Sequence, residues 1–193
     1  MKHLIVYCHP NPKSFNHAVK ETFVLALKQK GQDVRVRDLY DLNFDPVLKG
    51  SDFAAFQEGN VPEDIRREQE QIRWADVITF IFPIWWTGMP ARMKGYIDRV
   101  FSHGFAYVMD EKGLRGLLGS KKMIIFNTCG TPEDVYIRSG MRKSIEQIFQ
   151  EGIFGFCGMK VIGHKFFGAV PTVSNDERAK MLEEVKRIAS KMI

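Results

Sequence analysis

The sequence predicts an α/β chain: one domain on a five-stranded parallel sheet, doubly wound, with helices on both faces. Three observations carry this. Five short apolar runs alternate with segments whose apolar residues recur at helical spacing, and such alternation builds βαβ units with right-handed crossovers. Four of the runs are almost continuously apolar, as strands covered on both faces are. The chain has 193 residues, 45% of them hydrophobic, enough to bury a substantial core in a single domain.

The first run, Leu4–Cys8, leads through His9-Pro10-Asn11-Pro12-Lys13-Ser14-Phe15-Asn16 into a helix striped by Ala18, Val19, Phe23, Ala26 and Leu27. Gly31 is placed to stop that helix. In the second run, Asp33–Arg37, Val34 and Val36 alternate with Arg35 and Arg37, the pattern of a sheet edge with one wetter face. The stretch from Leu39 to Pro62, rich in Asp, Gly, Pro and Phe, is too long for an ordinary connection. It reads as a surface excursion that covers something or meets a partner subunit.

The third run, Val77–Phe82, ends in Pro83-Ile84-Trp85-Trp86-Thr87-Gly88-Met89-Pro90. Met89, Met93, Ile97, Val100 and Phe101 mark the helix after it, with Pro90 suited to its first turn. The fourth run, Met123–Asn127, opens onto Thr128-Cys129-Gly130-Thr131-Pro132 and Tyr136, before a helix striped by Met141, Ile145, Ile148 and Phe149. The fifth, Val161–Phe167, precedes a helix carrying Met181, Val185, Ile188 and Met192, which Ser174 and Glu177 open as a capping box. The chain shows no internal repeat and no low-complexity tract.

Composition narrows the function classes. The net charge of +5 and pI near 9.1 admit an anionic partner, but the basic residues are spread, with no run denser than Lys121-Lys122 or Arg66-Arg67. Solvated helix faces explain them better than nucleic-acid binding. Cys8, Cys129 and Cys157 form no CxxC pair and are odd in number, which suits reduced thiols in a cytoplasmic protein. The first residues read as a strand and not a leader peptide. The apolar stretch 77–86 is too short to span a bilayer, so a soluble protein is expected.

Several chemistries lack their residues. The first turn has no G-x-G-x-x-G, which disfavours an NAD-type dinucleotide site. His9 and His17 lie eight apart across a turn and make poor metal partners, and no other cluster has ligand spacing. There is no G-x-S-x-G nucleophile turn.

In a doubly wound sheet, ligands collect at the carboxyl ends of the strands. Three segments fall there. In the first, Ser14 and Asn16 can cap the helix or donate to phosphate oxygens, while the N–H groups of Phe15 and Asn16 face an anion; plain capping is the bland alternative. In the second, the adjacent Trp85 and Trp86 suit stacking on a flat heteroaromatic ring. Equally, one indole is expected to fill a loop–helix junction or a dimer interface. In the third, Gly130 permits close backbone approach and Tyr136 can donate to developing negative charge; the alternative is a plain loop with a surface tyrosine. Cys129 has no neighbour that would activate it and reads as packing.

The stretches Leu4–Ala18 (LIVYCHPNPKSFNHA), Phe82–Phe101 (FPIWWTGMPARMKGYIDRVF), Phe105-Ala106-Tyr107 and Gly152–Val161 (GIFGFCGMKV) resemble the flavodoxin-like NAD(P)H:quinone oxidoreductases of the DT-diaphorase type, at the length of the short bacterial members. The resemblance implies a flavin held by its tail at His9, Ser14, Phe15 and Asn16. Its ring edge would lie against Pro83, Ile84, Trp85, Trp86 and Thr87, with Thr128, Cys129, Gly130 and Tyr136 on the far side and Trp86 and Tyr107 toward substrate. It also implies a ping-pong relay in which NADPH or NADH reduces the flavin and a quinone then takes the hydride. A homodimer completing each pocket would give the 39–62 excursion a purpose. The chain departs from the family in having Cys129-Gly130 where a Gly-Gly is usual. It also lacks the histidine that follows the matching tyrosine in animal enzymes; none follows Tyr136 until His164.

The expectation is a cytoplasmic flavoprotein reductase with Tyr136 as its catalytic group, using FMN in preference to FAD for want of a C-terminal extension. Some short relatives resemble flavin-binding regulatory subunits of a potassium efflux antiporter, which is the alternative. A flavodoxin-like electron carrier is disfavoured, since such carriers are usually acidic and the double-tryptophan loop suggests a substrate pocket.

Overall fold

The structure, a computed structural model, describes residues 1–192. Its central sheet is parallel throughout and ordered β2-β1-β3-β6-β7, from β1 (Lys2–Tyr7), β2 (Asp33–Asp38), β3 (Val77–Pro83), β6 (Lys122–Thr128) and β7 (Lys160–Phe167). All five expected runs are strands, and the chain reverses direction across the sheet after β2, crossing back past β1 to β3, so a crevice opens between β1 and β3.

Strand alternation divides the core in two. Leu4, Val6, Phe80, Phe82, Ile125 and Phe166 face one side; Ile5, Tyr7, Ile81, Phe126 and Phe167 face the other. The second side is covered by α1 (Phe15–Gln29) and α7 (Asn175–Ser190), through Val19, Phe23, Leu27, Val185 and Ala189. The first side takes α3 (Glu63–Trp74), α4 (Ala91–Val100) and α6 (Met141–Glu146), which runs on into a π-helical segment, Gln147–Gly155. In that wider coil a side chain at Gly155 would lie 2.6 Å from the Gln150 carbonyl, so glycine is required there.

The local signals for helix ends hold, with small shifts. Ser174 and Glu177 form the capping box of α7, and Gly31, with φ +69°, follows the end of α1. Pro90 stands just before α4 as its cap residue, one position earlier than expected. The edge reading of β2 is correct. β7 was expected to be covered on both faces, but it forms the opposite edge, and only Phe166 and Phe167 of it are buried. The antiparallel hairpin of β4 (Tyr107–Asp110) and β5 (Gly113–Gly116) has no counterpart in the expected elements, because four-residue strands carry too little periodicity to be read.

The 39–62 excursion includes α2 (Gly50–Gln57) and α5 (Glu133–Arg138) lies far from it along the chain. It is not a loose surface loop. The buried Arg99 of α4 donates to Asp52 at 2.9 Å, to Asp64 at 2.5 Å and to the Asp45 carbonyl at 3.0 Å. Gly95 lets α4 meet Pro46 directly, since a Cβ there would sit 2.0 Å from the Pro46 carbonyl oxygen. Satisfied buried charge of this kind binds a segment to one geometry.

Candidate cofactor site

At the carboxyl ends of β1, β3 and β6 lies a cleft of about 180 Å³. His9, Ser14, Phe15 and Asn16 line it from the first segment, Pro83, Ile84 and Trp85 from the second, and Thr128, Cys129 and Gly130 from the third. Residues more than a hundred positions apart therefore share one rim, because parallel strands deliver all their carboxyl ends to the same edge.

The β1–α1 loop is tied from within. Asn11 receives at its carbonyl the Ser14 N–H at 3.1 Å and at Oδ1 the Lys13 N–H at 2.8 Å, and its own N–H donates to His9 Nδ1 at 3.0 Å. That bond leaves the neutral His9 ring its proton on Nε2, and burial lowers its pKa. The ring lies 5.8 Å from that of Trp85, linking the first loop to the second. Ser14 caps α1, its Oγ accepting the His17 N–H at 3.2 Å, with the Tyr7 hydroxyl 3.4 Å away. Burial pushes the Tyr7 phenol up to about 12, so it remains protonated.

Phe15 and Asn16 are the first two residues of α1, and first-turn N–H groups have no preceding turn to bond. Asn16 is buried and donates from Nδ2 to Thr128 Oγ1 at 2.6 Å, but its Oδ1 has no partner among the described residues. A buried polar atom without a partner costs stability unless a ligand supplies one.

The second loop folds into a two-residue turn. Trp85 and Gly88 exchange both backbone bonds, at 3.1 and 3.0 Å, while Trp86 (φ +49°) and Thr87 (φ +62°) between them are left-handed. This is the pairing of a type I′ turn, usually the place of Asn-Gly. The Ile84 N–H donates to the Thr128 carbonyl at 2.7 Å and joins this loop to the third. Neither indole packs into a loop–helix junction: Trp85 is 42% exposed against the cleft and Trp86 wholly exposed at the tip.

In the third loop, the Cys129 N–H donates to the Phe167 carbonyl at 3.0 Å and its carbonyl accepts the Val170 N–H at 3.1 Å. Burial raises the Cys129 thiol, with Glu133 adding to the effect, in keeping with a packing role. The same cause lifts Cys8 to about 12 and Cys157 to about 11.

A fourth wall was missed. Val170 and Pro171, in the loop after β7, complete the cleft. Ala169 is left-handed at φ +54°, and Arg178 of α7 donates to the Val170 carbonyl at 2.9 Å. The signal was available, since this loop also leaves the carboxyl end of a parallel strand, but its apolar residues resemble ordinary packing.

Four expected site residues lie outside the cleft lining: Trp86, Thr87, Tyr136 and Tyr107. Tyr136, on α5, is half-buried and packs against the first core. Tyr107 lines a separate pocket of about 250 Å³ with Phe101, Phe156 and Cys157. It touches Phe156 at a ring separation of 5.1 Å. Among the described residues no group of His, Cys, Asp or Glu is placed to hold a metal ion, and no helix is long and apolar enough to cross a membrane.

Comparison with known proteins agrees with this architecture. Residues 1–191 match the family model Flavodoxin_2, described as a flavodoxin-like fold. The chain is 39% identical over 184 residues to an uncharacterized NAD(P)H oxidoreductase of Haemophilus influenzae, covering 95% of this chain and 91% of the relative. It is 33% identical to rat NAD(P)H dehydrogenase [quinone] 1, covering 95% of this chain and 74% of that one. The solved NAD(P)H:quinone oxidoreductase of Methanothermobacter marburgensis superposes with a TM-score of 0.88 at 28% identity, covering 98% and 95% of the two chains. The chain therefore belongs to the flavodoxin-like family that includes the NAD(P)H:quinone oxidoreductases.

Proposed function

We propose that the cleft holds a flavin, as FMN, and that the protein passes a hydride from NAD(P)H to a quinone in two half-reactions at one pocket. One observation carries the reading: ten residues from three distant loops converge on a single cleft at the crevice where this fold class binds its ligands. The relatives named for NAD(P)H and quinone chemistry support it, and favour an enzyme over a subunit of an antiporter.

The residues fit the group. The first turn of α1 and the Ser14 hydroxyl supply donors for one phosphate, and no Lys or Arg lines the cleft for a second. One phosphate is what FMN carries, which favours FMN over FAD. The orphaned Asn16 Oδ1 calls for a donor beside the anion, as a ribityl hydroxyl provides; Pro83, Ile84 and Trp85 offer a flat apolar and aromatic edge to a ring. A flavin held by these residues would supply the redox chemistry, a hydride taken from the nicotinamide and passed on to the quinone. The chain's part is to bind, orient and exclude water. Trp86 and Thr87 present the turn over which substrate enters. Tyr136, on α5 just after the third loop, would donate a hydrogen bond to the reduced ring, and Tyr107 would meet the substrate.

The test is direct. Flavin extracted from the purified protein, identified by chromatography, should be FMN, and the yellow absorbance should bleach with NADPH or NADH and return on adding a quinone. A protein that takes up neither FMN nor FAD on titration has some other function.

A further inference from the structure

The mechanism above leaves one buried polar chain unused, on the face of the sheet opposite α1. Asn127, the next-to-last residue of β6, is wholly buried. Its Nδ2 donates to the Phe82 carbonyl of β3 at 3.1 Å, and its Oδ1 lies 2.7 Å from His164 Nε2. The other ring nitrogen, His164 Nδ1, lies 3.1 Å from Gln150 Nε2 in the π-helical segment. Only one assignment satisfies all three residues. Asn127 Oδ1 must accept, so His164 carries its proton on Nε2, and Nδ1 accepts from the Gln150 amide. Burial, with Arg142 nearby, lowers the ring's pKa to about 3, which keeps that neutral form in place across the working range of a neutral-pH protein.

The position of this chain gives it consequence. Phe82 and Asn127 are paired in the β3–β6 ladder, and the next pair is Pro83 and Thr128, both of which line the cleft. Thr128 is gripped from the α1 face by Asn16, while Asn127, one residue earlier and pointing to the other face, is gripped by His164. The rim of the cleft is thus fixed from both sides of the sheet. Gln150 reaches His164 from the π-helical turn, where Gly155 closes against the Gln150 carbonyl. Such turns often persist where they place a functional side chain.

We infer that His164, held by Gln150 and bonded to Asn127, is a positioning residue for the cofactor cleft, setting where the β3–β6 rim meets the bound ring. The inference rests on the flavin reading above. It assigns His164 no contact with cofactor or substrate.

The test uses flavin-free protein titrated with FMN, read by quenching of flavin fluorescence, beside thermal unfolding of the same samples without flavin. His164→Leu strands the Asn127 and Gln150 amides, and the dissociation constant for FMN should rise about tenfold, equal to about 1.4 kcal/mol. His164→Gln keeps an N–H donor toward Asn127 and should stay within about threefold of the parent. A role confined to folding would lower the melting temperature while leaving FMN affinity at the parent value. That result for His164→Leu overturns the inference. Should His164→Leu fail to fold, Gln150→Leu decides, since it frees the ring but keeps the His164–Asn127 bond. About a threefold loss of affinity is expected for it, and unchanged affinity overturns the inference. Parent protein that takes up no FMN overturns the flavin reading itself, and this inference with it; a parent that binds, beside variants that bind equally well, overturns this inference alone.

Discussion

The turn at Trp86-Thr87 stores backbone strain whose removal can be measured. Both residues are left-handed, at φ +49° and +62°, and neither is Gly, Asn or Asp. A left-handed L-residue costs about 1–2 kcal/mol through its Cβ, and the β-branched threonine lies at the upper end. Thr87→Gly removes that cost but gives the unfolded chain more freedom, worth about 0.5–1 kcal/mol. The net expectation is a gain of about 1–1.5 kcal/mol, which for a chain of this length raises the melting temperature by about 2–6 °C. The two Trp85–Gly88 backbone bonds hold the turn's shape in the variant. Thr87→Ala is the control: it keeps a Cβ at positive φ and should gain little. Differential scanning calorimetry of the flavin-free protein reads the effect. If Thr87→Gly is no more stable than Thr87→Ala, the strain does not exist and the turn's geometry has another cause.

Three further outcomes are expected. His3 is fully buried with neither ring nitrogen hydrogen-bonded among the described residues, and its pKa is lowered by burial from 6.5 to about 4. The unfolded chain then binds a proton that the folded one refuses, so stability is complete above about pH 6.5 and falls by up to about 3 kcal/mol as pH drops toward 4. His3→Leu should flatten part of that slope in urea unfolding measured at several pH values, whereas an unaltered slope would mean His3 protonates freely. Arg99→Met leaves the buried Asp52 carboxylate unpaired and should cost about 3–5 kcal/mol, read as a lower urea midpoint. Adding Asp52→Leu should restore most of it. Tyr136→Phe should slow hydride transfer in stopped-flow reduction by NADPH without altering FMN affinity; an unchanged rate removes Tyr136 from the chemistry.

The sequence alone determined the layer architecture, because strand and helix periods are local properties written in consecutive residues. The apolar run Val77–Phe82 and the Ser174–Glu177 box need no distant partner to be recognised. It also determined which loops form the rim: once the strands are parallel, Ser14, Trp85 and Gly130 must emerge at one edge. Tertiary structure decided the rest. Val170 and Pro171 join the cleft only because β7 pairs with β6 and Arg178 pins the loop behind them. What ties the 39–62 stretch down was not legible, for nothing local reveals that Asp52 and Arg99, 47 residues apart, share a buried ion pair. Trp85 and Trp86 are adjacent and identical in type, yet one lines the cleft and the other stands in solvent, a division set by two φ angles. His164 carried no signal at all beyond its place in an apolar run. Its partners, Asn127 and Gln150, come from another strand and from a π-helical turn, and hydrogen bonds between distant side chains leave no period in the chain.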